Sequence, residues 1–176
     1  MTSPLSPPGT SGSVVMESYS EIARAEALLH AGYEHQMRGE LDRAEMLYRR
    51  SMEAHESAVA HIFLGWAMSK QGRYREAIAE CLEAIRLDPD MGNSYNDIGA
   101  YYIALGLHDE AEPWLRQALD APRYAQRQYP HANLALVLEA RGDLDGAMAE
   151  YQAALALVPD YAAARGALIR LRALRN

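Results

Sequence analysis

Four glycines, Gly39, Gly72, Gly106 and Gly142, recur at intervals of 33, 34 and 36 residues, each in the same local setting. Seven residues before each stands a very small residue: Gly32, Gly65, Gly99, Ala135. Five residues after each comes an alanine (Ala44, Ala77, Ala111, Ala147), and twelve after it a small residue again (Ser51, Ala84, Ala118, Ala154). A period near 34 with this signature constrains the chain to a helical solenoid, in which each unit buries its apolar face only against its neighbours.

Each repeat reads as two helices joined by a short turn. In the second repeat Leu64, Ala67 and Met68 form an apolar stripe at helical spacing, and Gly72 supplies the left-handed residue that ends the helix. Tyr74 to Leu87 is the expected second helix, with Ala77, Ile78, Cys81, Ala84 and Ile85 on its inner face. Gly65 and Ala77 have almost no side chain and let the two helices approach closely. Ser18 and Glu21 have the spacing of a capping box and predict the start of the first helix. Asp88-Pro89-Asp90 and Pro159-Asp160 read as stops, with Asp90 and Asp160 placed to cap the helices that follow. Pro113 is expected in the first turn of a helix, where a missing N–H does little harm.

This pattern resembles the tetratricopeptide repeat (TPR) over about residues 25–161 in four copies, followed by a last helix. Gly65, Tyr74, Ala77, Ala84 and Pro89 carry the resemblance most fully. The fourth copy departs with Ala135 and Leu138, the third with Leu115 and an early Pro122, the first with Glu56 in place of proline. The resemblance implies an all-α right-handed α-solenoid of four helical hairpins at about 25–58, 58–91, 92–125 and 128–161. A capping helix at about 161–174 completes a domain spanning 18–175. Residues 1–17, rich in Ser, Pro and Gly, are expected to form a disordered tail. The Pro4 to Pro7 stretch, formally a PxxP, reads as linker composition.

Charge excludes some partners. The chain carries 24 acids against 17 bases, and Lys70 is its only lysine, a bias that fits a GC-rich bacterial coding sequence. No acid follows Asp160, whereas Arg165, Arg170, Arg172 and Arg175 do, so the body is strongly acidic and the end basic. Nucleic acid is not expected as a partner of so acidic a body. The terminal arginines read either as a solvated helix end or as a site for an acidic surface or for self-association. No apolar run approaches the roughly 20 residues that span a bilayer. The N-terminus lacks the basic start and apolar run of a secretory signal. With one cysteine there is no disulfide framework, and a cytoplasmic location without membrane insertion is expected.

Catalytic constellations are not found. Cys81 falls on an inner helix face and reads as a buried thiol. His30, His35, His55, His61, His108 and His131 form neither an HExxH pair nor a zinc cluster. There is no Walker loop and no GxSxG elbow. The expectation is therefore no catalytic residue, no metal and no cofactor.

In the TPR superhelix the first helix of each repeat lines the concave face. That geometry, implied by the resemblance, places inward Leu29, His30, Tyr33 and Gln36, then Ile62, Phe63, Trp66 and Lys70. Asn93, Asn96, Asp97 and Tyr101 follow in the third repeat, and Tyr129, Ala132, Asn133 and Leu136 in the fourth. The candidate partner-binding set is Tyr33, Phe63, Trp66, Asn93, Asn96, Asp97, Tyr101, Tyr129 and Asn133. Aromatics supply buried area and amides can engage a peptide backbone, so the set suits an extended segment. The same aromatics could instead pack between repeats. The set lacks the paired cations with which some TPR domains clamp a chaperone's C-terminal carboxylate.

The connection from Asp120 to Pro130 is two residues longer than its neighbours and holds Arg123, Tyr124, Arg127 and Tyr129. It reads either as tolerated length variation or as a recognition loop. The function expected is a non-enzymatic adaptor that binds a protein or peptide partner in its concave groove. The alternative is a self-assembling scaffold, a homo-oligomer joined through terminal repeats or the arginine-rich last helix.

Overall fold

Gly72 shows how each repeat turns back on itself. Its φ of 77° is open to glycine without steric cost. In that conformation the amide of Arg73 donates to the carbonyl of Met68 at 3.0 Å, and that of Gly72 to Ser69 at 3.0 Å. Two orphan carbonyls at the helix end are thereby satisfied. The next helix begins at Tyr74. Gly39, Gly106 and Gly142 take the same conformation.

The structure, a computed structural model, describes residues 11–174, with side chains from Ser18. Among the described residues the chain forms α1 (Ser11–Met37), α2 (Leu41–Ala54), α3 (Ala58–Lys70), α4 (Tyr74–Leu87) and α5 (Gly92–Ala104). These are followed by α6 (His108–Asp120), α7 (Gln128–Ala140), α8 (Leu144–Leu157) and α9 (Ala162–Leu174). Each helix packs on its chain neighbours, and α1, α3, α5 and α7 also touch in succession. The all-α solenoid of helical hairpins implied by the sequence is the fold observed.

Inside each hairpin one position on the first helix faces one position on the second, and their sizes are matched. A Cβ on Gly32 would lie 2.5 Å from the Tyr48 ring, and one on Gly99 would lie 2.5 Å from Leu115. In the second repeat Cys81 fills the same position, and a Cβ on Gly65 would meet the Ala77 carbonyl oxygen at 3.2 Å. Tyr48, Cys81 and Leu115 are fully buried. Burial pushes the Cys81 thiol well above its ordinary pKa, so it is a packing group. Where tyrosine fills the position its hydroxyl is satisfied: Tyr48 donates to Gln36 at 3.0 Å and Tyr151 to Glu139 at 2.7 Å.

A second recurring position is polar. His61 pairs with Glu80 at 2.7 Å, and 70 residues later His131 pairs with Glu150 at 2.7 Å. The hydrogen bond to Glu80 raises the His61 pKa above its ordinary value. In the intervening repeat Tyr95 and Trp114 hold the equivalent places, their ring centroids 6.3 Å apart. On the outer layer Arg73 bridges Glu45 and Glu76, and Arg141 bridges Asp109 and Glu112. Exposed pairs contribute about 0–1 kcal/mol each, so the apolar stacking carries the fold.

Several termini differ from the sequence reading. α1 begins at Ser11, inside the segment expected to be disordered, and the Ser18–Glu21 box lies within the helix. No proline stands between Pro8 and Pro89, so nothing interrupts a helix begun upstream. The part of the expected tail in residues 1–10 lies outside the described residues. Asp90 and Asp160 do not cap. Met91 is the N-cap of α5, and Asp160 pairs with Arg165 at 3.4 Å. The side-chain caps are Ser57, accepting from Ala60 at 3.3 Å, and Asp143, accepting from Gly146 at 2.9 Å. Pro113 is the sixth residue of α6 rather than part of its first turn. In the last helix Arg170 is tied to Glu139 at 2.7 Å.

Candidate functional site

Residues three and four apart share one helix face, and this spacing builds the concave wall. α1 contributes Tyr33, Gln36 and Met37, and α3 contributes Trp66, Ser69 and Lys70. α5 adds Asn93, Asn96, Asp97 and Tyr101, and α7 adds Tyr129. Together they line a cavity of about 650 Å³. It crosses the repeats from the C-terminal halves of α1 and α3, along α5, to the N-terminal end of α7.

Seven of the nine sequence-derived candidates line this one cavity: Tyr33, Trp66, Asn93, Asn96, Asp97, Tyr101 and Tyr129. Phe63 stands behind it. Its ring lies edge-on to Tyr33 at 5.6 Å and to Trp66 at 5.2 Å, and stacks on the buried Tyr48 at 5.7 Å. Phe63 is therefore a buttress that fixes two of the cavity's rings. Asn133 lines a separate, smaller hollow with Leu136, Tyr161 and Arg170. Ile62 and Ala132, read as inward, are buried at 5% and 6% exposure. Each lies one residue off the open stripe, where its neighbours enclose it.

Trp66 both packs on the core, its ring beside Phe63, and borders the cavity. Its indole N–H donates to Asp97 Oδ2 at 2.6 Å. Asn96 Nδ2 donates to the other Asp97 oxygen at 3.3 Å and accepts at Oδ1 from Asn133 Nδ2 at 3.1 Å. One polar chain thus runs from α7 through α5 to α3 and converges on a single carboxylate. Burial pushes Asp97 up to about 6, against the smaller lowering effect of its two donors. The Tyr101 phenol is raised by burial first and by the Asp97 charge second. Its buried hydroxyl has no hydrogen-bond partner.

Six lining residues were not in the sequence-derived set: Gln36, Met37, Ser69 and Lys70 on α1 and α3, and Tyr124 and Gln126 from the connection between α6 and α7. That connection is tied down. Gly92 donates to the Arg123 carbonyl at 3.2 Å, and Arg123 donates to that of Asp90 at 3.1 Å. Arg123 also pairs with Asp88, and Arg127 reaches the Ala121 carbonyl at 3.1 Å. Tyr124 is buried, its Cβ 2.4 Å from where a Cβ on Gly92 would lie. Only glycine at the first position of α5 admits it. The available signals were the two extra residues and a glycine opening a helix.

Among the described residues no helix is long and apolar enough to cross a membrane, and no three His, Cys, Asp or Glu side chains gather at a metal-sized site.

Family models described as tetratricopeptide repeat match residues 58–91, 92–121 and 130–171, together more than half of the chain. A TPR repeat-containing thioredoxin of Arabidopsis thaliana, TTL4, is 29% identical over 143 residues. The match takes in 78% of this chain and 21% of that protein. Among solved structures, PilF of Pseudomonas aeruginosa superposes with a TM-score of 0.82 at 20% identity, covering 89% of this chain and 71% of that one. YrrB, described as a TPR protein with an unusual peptide-binding site, superposes at 0.65 and 20% identity, covering 94% and 84%.

Proposed function

The chain belongs to the tetratricopeptide repeat family, and from that premise we propose that it is a non-enzymatic adaptor holding an extended segment of a partner protein in its concave groove. The observation that carries this reading is the cavity built across α1, α3, α5 and α7. Exposed rings at Tyr33 and Tyr129, 40% and 44% accessible, stand at its two ends. Between them, Asn93 offers an amide that can donate to and accept from a peptide backbone. Cavities of roughly 300–1,000 Å³ with a few convergent polar groups are the usual form of a binding site. The peptide-binding description of YrrB supports the reading by analogy of fold alone.

Tyr33 and Tyr129 make the best probes, because Trp66 and Asn96 are engaged in packing and hydrogen bonds within the chain. Affinity capture from the source lysate with wild type beside a Tyr33→Ala/Tyr129→Ala variant is the test. The expected result is a partner retained by wild type and lost by the variant, with both showing the same circular dichroism. Partners retained equally would move the site off the concave face.

A second reading, association of copies through α9, rests on Ile169 and Leu174, exposed at 66% and 67%. Light scattering distinguishes it, since an Ile169→Glu variant would then shift a concentration-dependent dimer to monomer.

A further inference from the structure

Asp97 is the one acid that lines the concave cavity. It holds two hydrogen bonds, from Trp66 and Asn96, both from uncharged donors. Among the described residues no lysine, arginine or histidine comes within 4.0 Å of its oxygens. Most other acids in hydrogen-bonding range of a cation in this fold are paired, as Glu45, Glu76, Glu80, Glu112 and Glu150 are. An unpaired carboxylate in a partly desolvated hollow is costly unless something compensates it.

The walls around it favour a cation. The rings of Tyr33, Trp66 and Tyr129 line the same hollow, and aromatic faces attract lysine and arginine heads, more strongly when water is excluded. The body of the chain adds a net negative field. Lys70 lies at the rim, exposed and in no ion pair.

Resting on the groove reading above, we infer that the segment held there inserts one lysine or arginine side chain into the cavity, its cation against the Asp97 carboxylate and beside the Trp66 ring that donates to it, with Tyr33 and Tyr129 flanking the segment at the cavity's ends. The adjoining Asn93 amide then serves the backbone beside that residue. Specificity at this point is set by charge and by the flat rings, while the rest of the groove accepts the segment by its backbone.

The test starts from a random-peptide display library selected on the full chain. The best binders are then measured by titration calorimetry with wild type, Asp97→Asn, Lys70→Met and Tyr33→Ala/Tyr129→Ala. The expected result is a basic residue at one fixed position in the selected peptides. Replacing it by norleucine should weaken binding to wild type roughly tenfold or more and have little effect on Asp97→Asn, the signature of a direct charge pair. Lys70→Met should leave that coupling unchanged. Groove-sensitive binders with no fixed basic position would overturn the inference while leaving the groove reading intact. Binders indifferent to Tyr33→Ala/Tyr129→Ala would remove both. A lysine dependence that arises only in Lys70→Met would assign the counter-charge to the chain's own lysine and also overturn the proposal. Asp97→Asn is close to isosteric; should it fail to match wild type in circular dichroism, Asp97→Ser replaces it, and a norleucine effect as large in that variant as in wild type would equally count against the pair.

Discussion

A carboxylate that the fold makes harder to ionise works against folding, and Asp97 is such a group. Its folded pKa stands at about 6 against an ordinary 3.8, chiefly through burial. Between those values the folded chain holds a proton that the unfolded chain has released. Stability therefore falls as pH rises through that window, and above pH 6 the full cost is present. Two pKa units correspond to roughly 3 kcal/mol. Asp97→Asn removes the charge and keeps an acceptor for the Trp66 indole. It also sets an amide donor against Asn96 Nδ2, which offsets part of the gain. The expected outcome of urea unfolding is that Asp97→Asn is more stable than wild type by roughly 1–2 kcal/mol at neutral pH. The advantage should shrink or vanish at pH 3.5, where both chains are uncharged at this position. A variant less stable than wild type at neutral pH would mean that the carboxylate is already compensated. A residue that lowers stability where it stands, and whose charge faces a cavity, is the pattern of a group retained for binding.

The elements divide into those that periodicity can describe and those it cannot. Helix faces belong to the first kind. A stripe at i, i+3 and i+4 fixes which side chains of one helix share a face, and with the concave face implied by the family resemblance this placed Tyr33, Trp66 and Asp97 together. The small-residue positions at Gly32, Gly65 and Gly99 carried the hairpin geometry in the same way. Non-helical backbone belongs to the second kind. The segment between α6 and α7 holds its shape through backbone contacts with residues 88–92, which no local pattern encodes. For that reason Tyr124 was read only as part of a possible recognition loop and Gln126 was not singled out, and the caps at Asp90 and Asp160 were misplaced because a turn can begin one residue either side of a proline. Ile62 and Ala132 show the limit of phase: one residue of rotation separates wall from core. The connection makes a sharp prediction. Gly92→Ala should force Tyr124 and its backbone away from the start of α5, destabilising the chain by about 1–3 kcal/mol. Gly166→Ala, where a Cβ meets nothing within 4 Å in mid-helix, should be neutral or stabilising by up to about 1 kcal/mol. Denaturant midpoints decide it. A Gly92→Ala chain as stable as wild type would mean that the connection yields easily and does not fix the cavity wall.

At the scale of the whole molecule, charge gives the solenoid a direction. The 24 acids all precede α9, with 13 of the 17 bases, and the four remaining arginines follow Asp160. A groove set in the acidic body, with the basic helix beyond it in the chain, draws a cationic segment toward the body by long-range attraction. That attraction acts on encounter more than on the docked complex, because Debye screening at about 8 Å in physiological salt removes the distant part and spares the close contact with Asp97. For a peptide bearing the basic residue, the association rate should fall several-fold to roughly tenfold between about 20 mM and 500 mM salt, whereas the dissociation rate should change much less. The norleucine version of the same peptide should show a weaker salt dependence in both. Stopped-flow tryptophan fluorescence reads this directly, since Trp66 lines the cavity and Trp114 lies on α6, outside its lining. An association rate indifferent to salt would mean that the acidic body plays no part in capture. The groove would then be filled by apolar contact with its rings, and the charge asymmetry of the chain would answer to some other face.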